Sequence, residues 1–188
     1  MGILISSFPG CGKNYLINTH GDKAKMLDAF TPELVGDSGE GEYDYNVWVD
    51  NIMNVVDDYD IVFVPIAEKL LDALNNRNID YDVFYPSKDR RKEFLENMVR
   101  KRALRNDIMM LDRDFDKMVD RIDAIESENC YKHKMDEQGH FIGNDAAIMQ
   151  YINNVEQNNK KNGQKPSERV EEYPRSEENN EADEKRNA

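Results

Sequence analysis

The chain has 188 residues, 39% of them hydrophobic and 34% charged, and a formal net charge of -13, which suits one soluble domain and leaves no room for a second large one. No stretch approaches the roughly 20 apolar residues that span a bilayer, and the opening Met1-Gly2-Ile3-Leu4-Ile5-Ser6 lacks a signal-peptide pattern, so a cytoplasmic protein with no membrane partner is expected. Two cysteines, Cys11 and Cys130, are too few for a disulfide framework, and the acidic balance opposes duplex nucleic acid as a partner, because affinity for phosphates comes from Lys and Arg that release counterions.

Along the chain, apolar runs alternate with helical patterns, the signature of a parallel sheet with crossover helices. The predicted strands are Gly2 to Ser6, Ala24 to Asp28, Asp60 to Pro65 and Asp82 to Tyr85. Between Thr31 and Asp44 the Gly-rich acidic stretch TPELVGDSGEGEYD has no period and reads as a mobile loop. Tyr45, Trp48, Val49, Ile52 and Val56 recur at helical spacing, as do Leu111, Phe115, Met118, Ile122 and Ile125, and both stripes are expected to face the core. Cys130 and His133, with His140 further on, lack a fourth zinc ligand at suitable spacing, so this segment is expected to be a hairpin around Asp136 to Gly139 rather than a metal site. Helix returns from about Asp145 to Val155.

Beyond Val155, Val170 and Tyr173 are almost the only sizeable apolar residues among Asn, Glu, Lys and Ser. Such a composition cannot offset an ordering cost of roughly 1 to 2 kcal/mol per residue. The expected organisation is a folded domain over 1–155 and a disordered polar tail over 156–188. The tail holds nine acids and seven bases, so it carries -2 and the domain carries -11.

The most informative segment is GILISSFPGCGKNYLI: an apolar strand, a turn, then a short helix. Against the phosphate-loop pattern G-x-x-x-x-G-K-[ST] it matches Gly12 and Lys13, with Ser7 for the first glycine and Asn14 for the hydroxyl. The turn follows the first strand and opens a helix, so the backbone N–H groups of Pro9-Gly10-Cys11-Gly12-Lys13-Asn14 and the helix N-terminus converge on a triphosphate, proline alone contributing no N–H. Lys13 reaches the outer phosphates. Ser7 closes a turn where a small residue suffices. Asn14 stands where a hydroxyl normally binds Mg2+, and its amide oxygen is a weaker ligand. Cys11 lies near a helix N-terminus, where thiol pKa values tend to fall, and is read as a spacer.

SSFPGCGKNYL, followed by MLDAF, YDIVFV and DYDVFYP with a charged helix behind it, resembles the small P-loop nucleotide kinases, in particular the adenylate-kinase-like proteins of bacteriophages, over about the first 105 residues. The resemblance implies an α/β, three-layer P-loop NTPase fold around a five-stranded parallel sheet in the order 2-3-1-4-5. It further implies ATP and Mg2+ as cofactors, an acceptor-binding helical region after the second strand, and an arginine-bearing lid; a phage-encoded protein would act in the host cytoplasm. Asp28 stands where such kinases carry a carboxylate that orients the acceptor or a metal-bound water. The lid helix is expected to run from Ser87 to Arg102, with Phe94, Leu95, Met98 and Val99 inward and Arg102 and Arg105 projecting toward the phosphates. The family's Arg-x-x-x-Arg is replaced by Asn97 and Lys101, and the third strand ends without a Walker B acid.

These features predict an ATP-dependent phosphotransferase acting on a nucleotide or another small acceptor, with Lys13, Asp28, Arg102 and Arg105 as the catalytic set. A nucleotide-binding regulatory module that has lost turnover is the alternative, motivated by Asn14 and the missing lid arginine. A kinase of RNA or DNA ends is a third reading, disfavoured by the net charge. The tail names no protein partner.

Overall fold

The computed structural model describes residues 2–35, 43–101 and 103–162. Among these, five strands form one sheet: β1 (Ile3–Ser7), β2 (Met26–Asp28), β3 (Ile61–Pro65), β4 (Tyr81–Pro86) and β5 (Cys130–Met135). Their order is β2-β3-β1-β4-β5 and every neighbouring pair is parallel. The register sets Ile3 opposite Ile61, Ile5 opposite Asp82, Met26 opposite Ile61 and Tyr81 opposite Cys130.

Parallel strands covered on both faces are near-continuous apolar runs, and β1, β3 and β4 follow that rule. Leu4, Ile5, Val62, Phe63, Val83 and Phe84 are all buried. Among the described residues seven helices surround the sheet: α1 (Lys13–His20), α2 (Pro32–Val35), α3 (Tyr45–Val55), α4 (Glu68–Asn76), α5 (Arg91–Arg100), α6 (Arg105–Asp123) and α7 (Ala146–Lys161). Both predicted stripes face the core: Trp48, Val49, Ile52 and Val56 are buried, as are Leu111, Phe115 and Ile122, while Tyr45, Met118 and Ile125 pack against the core's margin.

The segment expected to be a hairpin is instead the fifth parallel strand, paired with β4 along its whole length. As an edge strand it buries only Cys130 and Met135, so its sequence carries no apolar run. Its polar residues are nevertheless engaged. His133 stacks on Phe84 at 4.3 Å and meets Asp82 at 2.5 Å, and Lys132 donates to the carbonyls of Asp123 and Ile125 where α6 ends. Cationic side chains at a helix C-terminus satisfy its last carbonyls. Cys130 and His133, an odd number of residues apart on a strand, point to opposite faces.

Three further boundaries differ from expectation. The lid helix does not run unbroken from Ser87: a 3-10 turn (Lys88–Arg90) precedes α5, and the chain leaves helix before α6. There the Ala103 N–H bonds back to the Met98 carbonyl and Leu104 takes an extended ψ of 140°. Phe94 is buried and Leu95 and Met98 pack at the core's margin, but Val99 is 61% exposed rather than inward. Finally, α7, capped by the Asp145 carboxylate, continues past Val155 to Lys161, whereas the rest of the expected tail, from residue 163, lies outside the described residues. Of the expected loop after β2, α2 occupies Pro32–Val35 and residues 36–42 lie outside the described residues.

Candidate functional site

Because all five strands are parallel, Ser7, Asp28, Pro65, Pro86 and Met135 end along one edge of the sheet. From β1 the chain passes to β2 on one side, and from the adjacent β4 to β5 on the other. Ligands of open α/β sheets bind outside the strand ends at such a reversal. The segment Phe8 to Gly12 lies at this point.

Its conformation follows from a few anchors. The Phe8 N–H donates to the Phe84 carbonyl at 2.9 Å and the Cys11 N–H to the Phe8 carbonyl at 3.0 Å, folding the loop back over the end of β4. The Phe8 ring is buried against Phe115 at 5.0 Å and Phe94 at 6.1 Å. The Cys11 thiol donates to the Phe84 carbonyl at 3.4 Å, and burial pushes its pKa well up, opposite to the fall expected at a helix N-terminus. Cys11 is therefore a packed spacer.

Gly10 and Gly12 both adopt left-handed φ, 89° and 97°. At Gly10 a Cβ would also crowd Phe94 Cδ1 at 3.2 Å, whereas at Gly12 space is ordinary and the backbone angle alone demands glycine. Ser7 is the last residue of β1, paired in regular register with Pro65 and Phe84, so a side chain is tolerated there.

Gly12 is the N-cap of α1, and no side chain caps this helix. The Leu16 N–H donates to the Gly12 carbonyl, leaving the N–H groups of Lys13, Asn14 and Tyr15 at the open, electropositive helix end. Asn14 is exposed on this first turn. An open ring of N–H donors, glycines where a Cβ would be strained, and an adjacent lysine fit the phosphates of a nucleotide. For Mg2+ this turn offers from its side chains the Asn14 amide oxygen and the Tyr15 hydroxyl, and among the described residues no cluster of three His, Cys, Asp or Glu side chains could hold a metal.

Two of the sequence-predicted residues meet: the Lys13 ammonium is ion-paired with the Asp28 carboxylate, whose other oxygen accepts the Phe30 N–H at 3.3 Å. Arg105 stands exposed at the start of α6, and among the described residues it forms no hydrogen bond or ion pair. Arg102 lies outside the described residues.

Beside the glycines opens a cleft of about 340 Å³, bounded by Tyr15, Asn97, Lys101, Phe141 and Asn144. Asn97 and Lys101, the two residues that stand where the resemblance would place lid arginines, both line this cleft, and Lys101 is its cation. Phe141 and Asn144 come from the loop after β5, which the sequence left without a role. That loop is clamped from beneath by Arg90, itself only 4% exposed. Its guanidinium donates to Glu93 at 2.9 Å, to the His140 carbonyl at 2.8 Å and to the Met135 carbonyl at 3.3 Å, and lies over the rings of Phe94 and Phe141. Glu93 accepts the Gly139 N–H at 3.0 Å, and these two hydrogen bonds, Arg90's first, hold its carboxyl below the usual range despite partial burial. The Ile142 N–H then donates to the Cys11 carbonyl at 3.1 Å, tying the loop directly to the backbone of the Phe8–Gly12 segment.

In comparisons with known proteins, the chain matches no protein-family model and has no significant match among curated proteins.

Proposed function

We propose that this protein has a P-loop NTPase-type fold and is an ATP-dependent phosphotransferase acting on a nucleotide or a similarly small acceptor. The observation that carries the reading is the uncapped, glycine-gated N-terminus of α1, with Lys13 beside it, at the sheet's reversal point. Bound ATP, with Mg2+, would supply the transferable phosphoryl group. The chain's own residues then have defined tasks. The backbone N–H groups of Gly10, Gly12, Lys13, Asn14 and Tyr15, with Gly12 and Lys13 foremost, receive the phosphate oxygens, and Lys13 balances the negative charge that collects on them. Asn14 offers an amide oxygen toward the metal ion. Lys101 adds a second positive charge from the cleft's far wall, a task assigned from sequence to Arg102 and Arg105. Asp28, released from Lys13, orients the acceptor.

The test is transfer from labelled ATP to a panel of nucleoside monophosphates by the full chain and by Lys13→Ala. Transfer that disappears with Lys13→Ala is expected, and absence of Lys13-dependent transfer to every acceptor would refute the enzyme.

Asn14 and Asn97, standing where the pattern calls for a hydroxyl and an arginine, favour one second reading: a nucleotide-binding regulatory or interaction module without turnover. Calorimetry distinguishes it, since such a module binds ATP without magnesium dependence and transfers nothing.

A further inference from the structure

The crossovers from β3 to β4 and from β4 to β5 run in the same direction across the sheet, so right-handed connections lay α4 and α6 on one face. Each packs chiefly on another partner, α4 on α3 and α6 on α5, and between them opens a groove of about 550 Å³, a size typical of small-molecule sites. An ion pair bridges it, Glu68 with Arg121 at 3.2 Å, both side chains well exposed. The floor is apolar, from Leu71, Met118, Ile122 and Ile125, whereas the walls offer acceptors. Glu68, Asp72 and Asn76 follow one another along α4 at four-residue intervals, about 6 Å apart. Asp72, and Glu126 on the other wall, form no hydrogen bond or ion pair among the described residues. The Asn75 amide oxygen at the same end is shielded from water and receives no hydrogen bond. Helix α4 ends here without a basic residue in its last turn, and Arg77, next in the chain, turns its guanidinium to Asp50, so no side-chain cation meets the negative end of that dipole. The end of α6 already holds one: Lys132 donates to the Asp123 and Ile125 carbonyls at 2.9 and 3.0 Å.

We infer that this groove binds a linear aliphatic polyamine. Its ammonium groups meet the row of acceptors along α4, and the three or four methylenes between them, about as long as one helical turn, lie on the apolar floor. A compact metal ion would leave that floor exposed, and among the described residues no cluster of three His, Cys, Asp or Glu side chains could hold one. Binding draws Glu68 away from Arg121, which costs little because exposed ion pairs contribute little. A chain of net charge -13 attracts any polycation at long range, so the distinguishing content is the position and the use of the methylenes. The inference does not depend on the phosphotransferase reading.

The experiment is calorimetric titration of the full chain, at about 0.15 M salt, with spermidine and with hexamminecobalt(III), a cation of the same charge that has no methylenes. Methyl-labelled methionine reports location by NMR, because Met118 borders the groove and its signal is assigned with Met118→Leu. Spermidine should bind at least about tenfold more tightly than hexamminecobalt and shift the Met118 methyl signal. Asp72→Asn should weaken spermidine about fivefold. Asp107→Asn removes the same single charge about 16 Å from Met118 along α6, beyond the screening length, and should leave binding unchanged. Absent spermidine binding, equal binding of the two cations, equal effects of the two substitutions, or an unmoved Met118 signal would each overturn the inference. So would a Met118 shift produced by inorganic phosphate and not by spermidine, since it would assign the groove to Arg121 and an anion.

Discussion

Asp28→Asn removes the charge that engages Lys13 while keeping the side chain's shape. With Lys13 and Asp28 28% and 38% exposed, the pair sits in a largely aqueous dielectric, where such ion pairs contribute about 0.2 to 1 kcal/mol. A polyphosphate at the loop must displace that contact and also meets the carboxylate's own negative charge. Two unit charges 5 Å apart in water repel by about 0.8 kcal/mol. Together these terms predict that pyrophosphate, or a non-hydrolysable ATP analogue, binds Asp28→Asn roughly fivefold to twentyfold more tightly than the parent protein. On the proposed function, phosphoryl transfer should fall at the same time, because the acceptor would lose the carboxylate assigned to orient it. Calorimetry at low salt measures the gain, and repeating it near 1 M salt should shrink the gain as the Debye length falls to about 3 Å. Unchanged or weaker binding at low salt would refute the reasoning, since Asp28 would then be no competitor for Lys13.

The other predictions follow from single contacts. Gly12→Ala forces a Cβ into a left-handed backbone of φ 97°; it should cost about 1 to 2 kcal/mol in chemical denaturation and weaken pyrophosphate binding in calorimetry. Lys101→Met should weaken binding of an ATP analogue severalfold, whereas Arg105→Ala, exposed at the start of α6, should leave it unchanged; the reverse result would return the lid cation to Arg105. Glu93 has a folded-state pKa below the ordinary 4.5 because it accepts from Arg90 and from the Gly139 N–H. A depressed carboxyl stabilises the fold above its unfolded pKa and loses that contribution as pH drops through the folded value. Thermal melts should therefore show stability falling below about pH 4.5, with a shallower decline in Glu93→Gln.

Four strands were legible because central parallel strands must be apolar on both faces, and ILISS, IVFVP and YDVFYP announce themselves. The short edge strand β2 was found with its N-terminal boundary two residues early, since only three residues pair with β3. Strand β5 was missed for a physical reason: its Lys132, His133 and Lys134 are stabilised by the end of α6, by Asp82 and by Asp123, contacts with no local signature. The 3-10 turn over Lys88–Arg90 was likewise hidden, because those charged residues fit the first turn of a helix equally well.

Local chemistry alone determined the phosphate-binding candidate: a strand, two glycines, a lysine and a helix start within a dozen residues dictate their own geometry, and both glycines adopt the left-handed angles that only glycine takes without strain. The tertiary structure decided everything that depends on distant segments meeting. It paired Lys13 with Asp28 across the sheet edge and brought Asn97 and Lys101 to the cleft where arginines were sought further along. It also clamped the loop carrying Phe141 and Asn144 through buried Arg90. Those contacts, together with the Ile142 N–H on the Cys11 carbonyl, join residues separated by up to 131 positions, and only the closing of a parallel sheet, whose strand ends share one edge, brings such partners within reach.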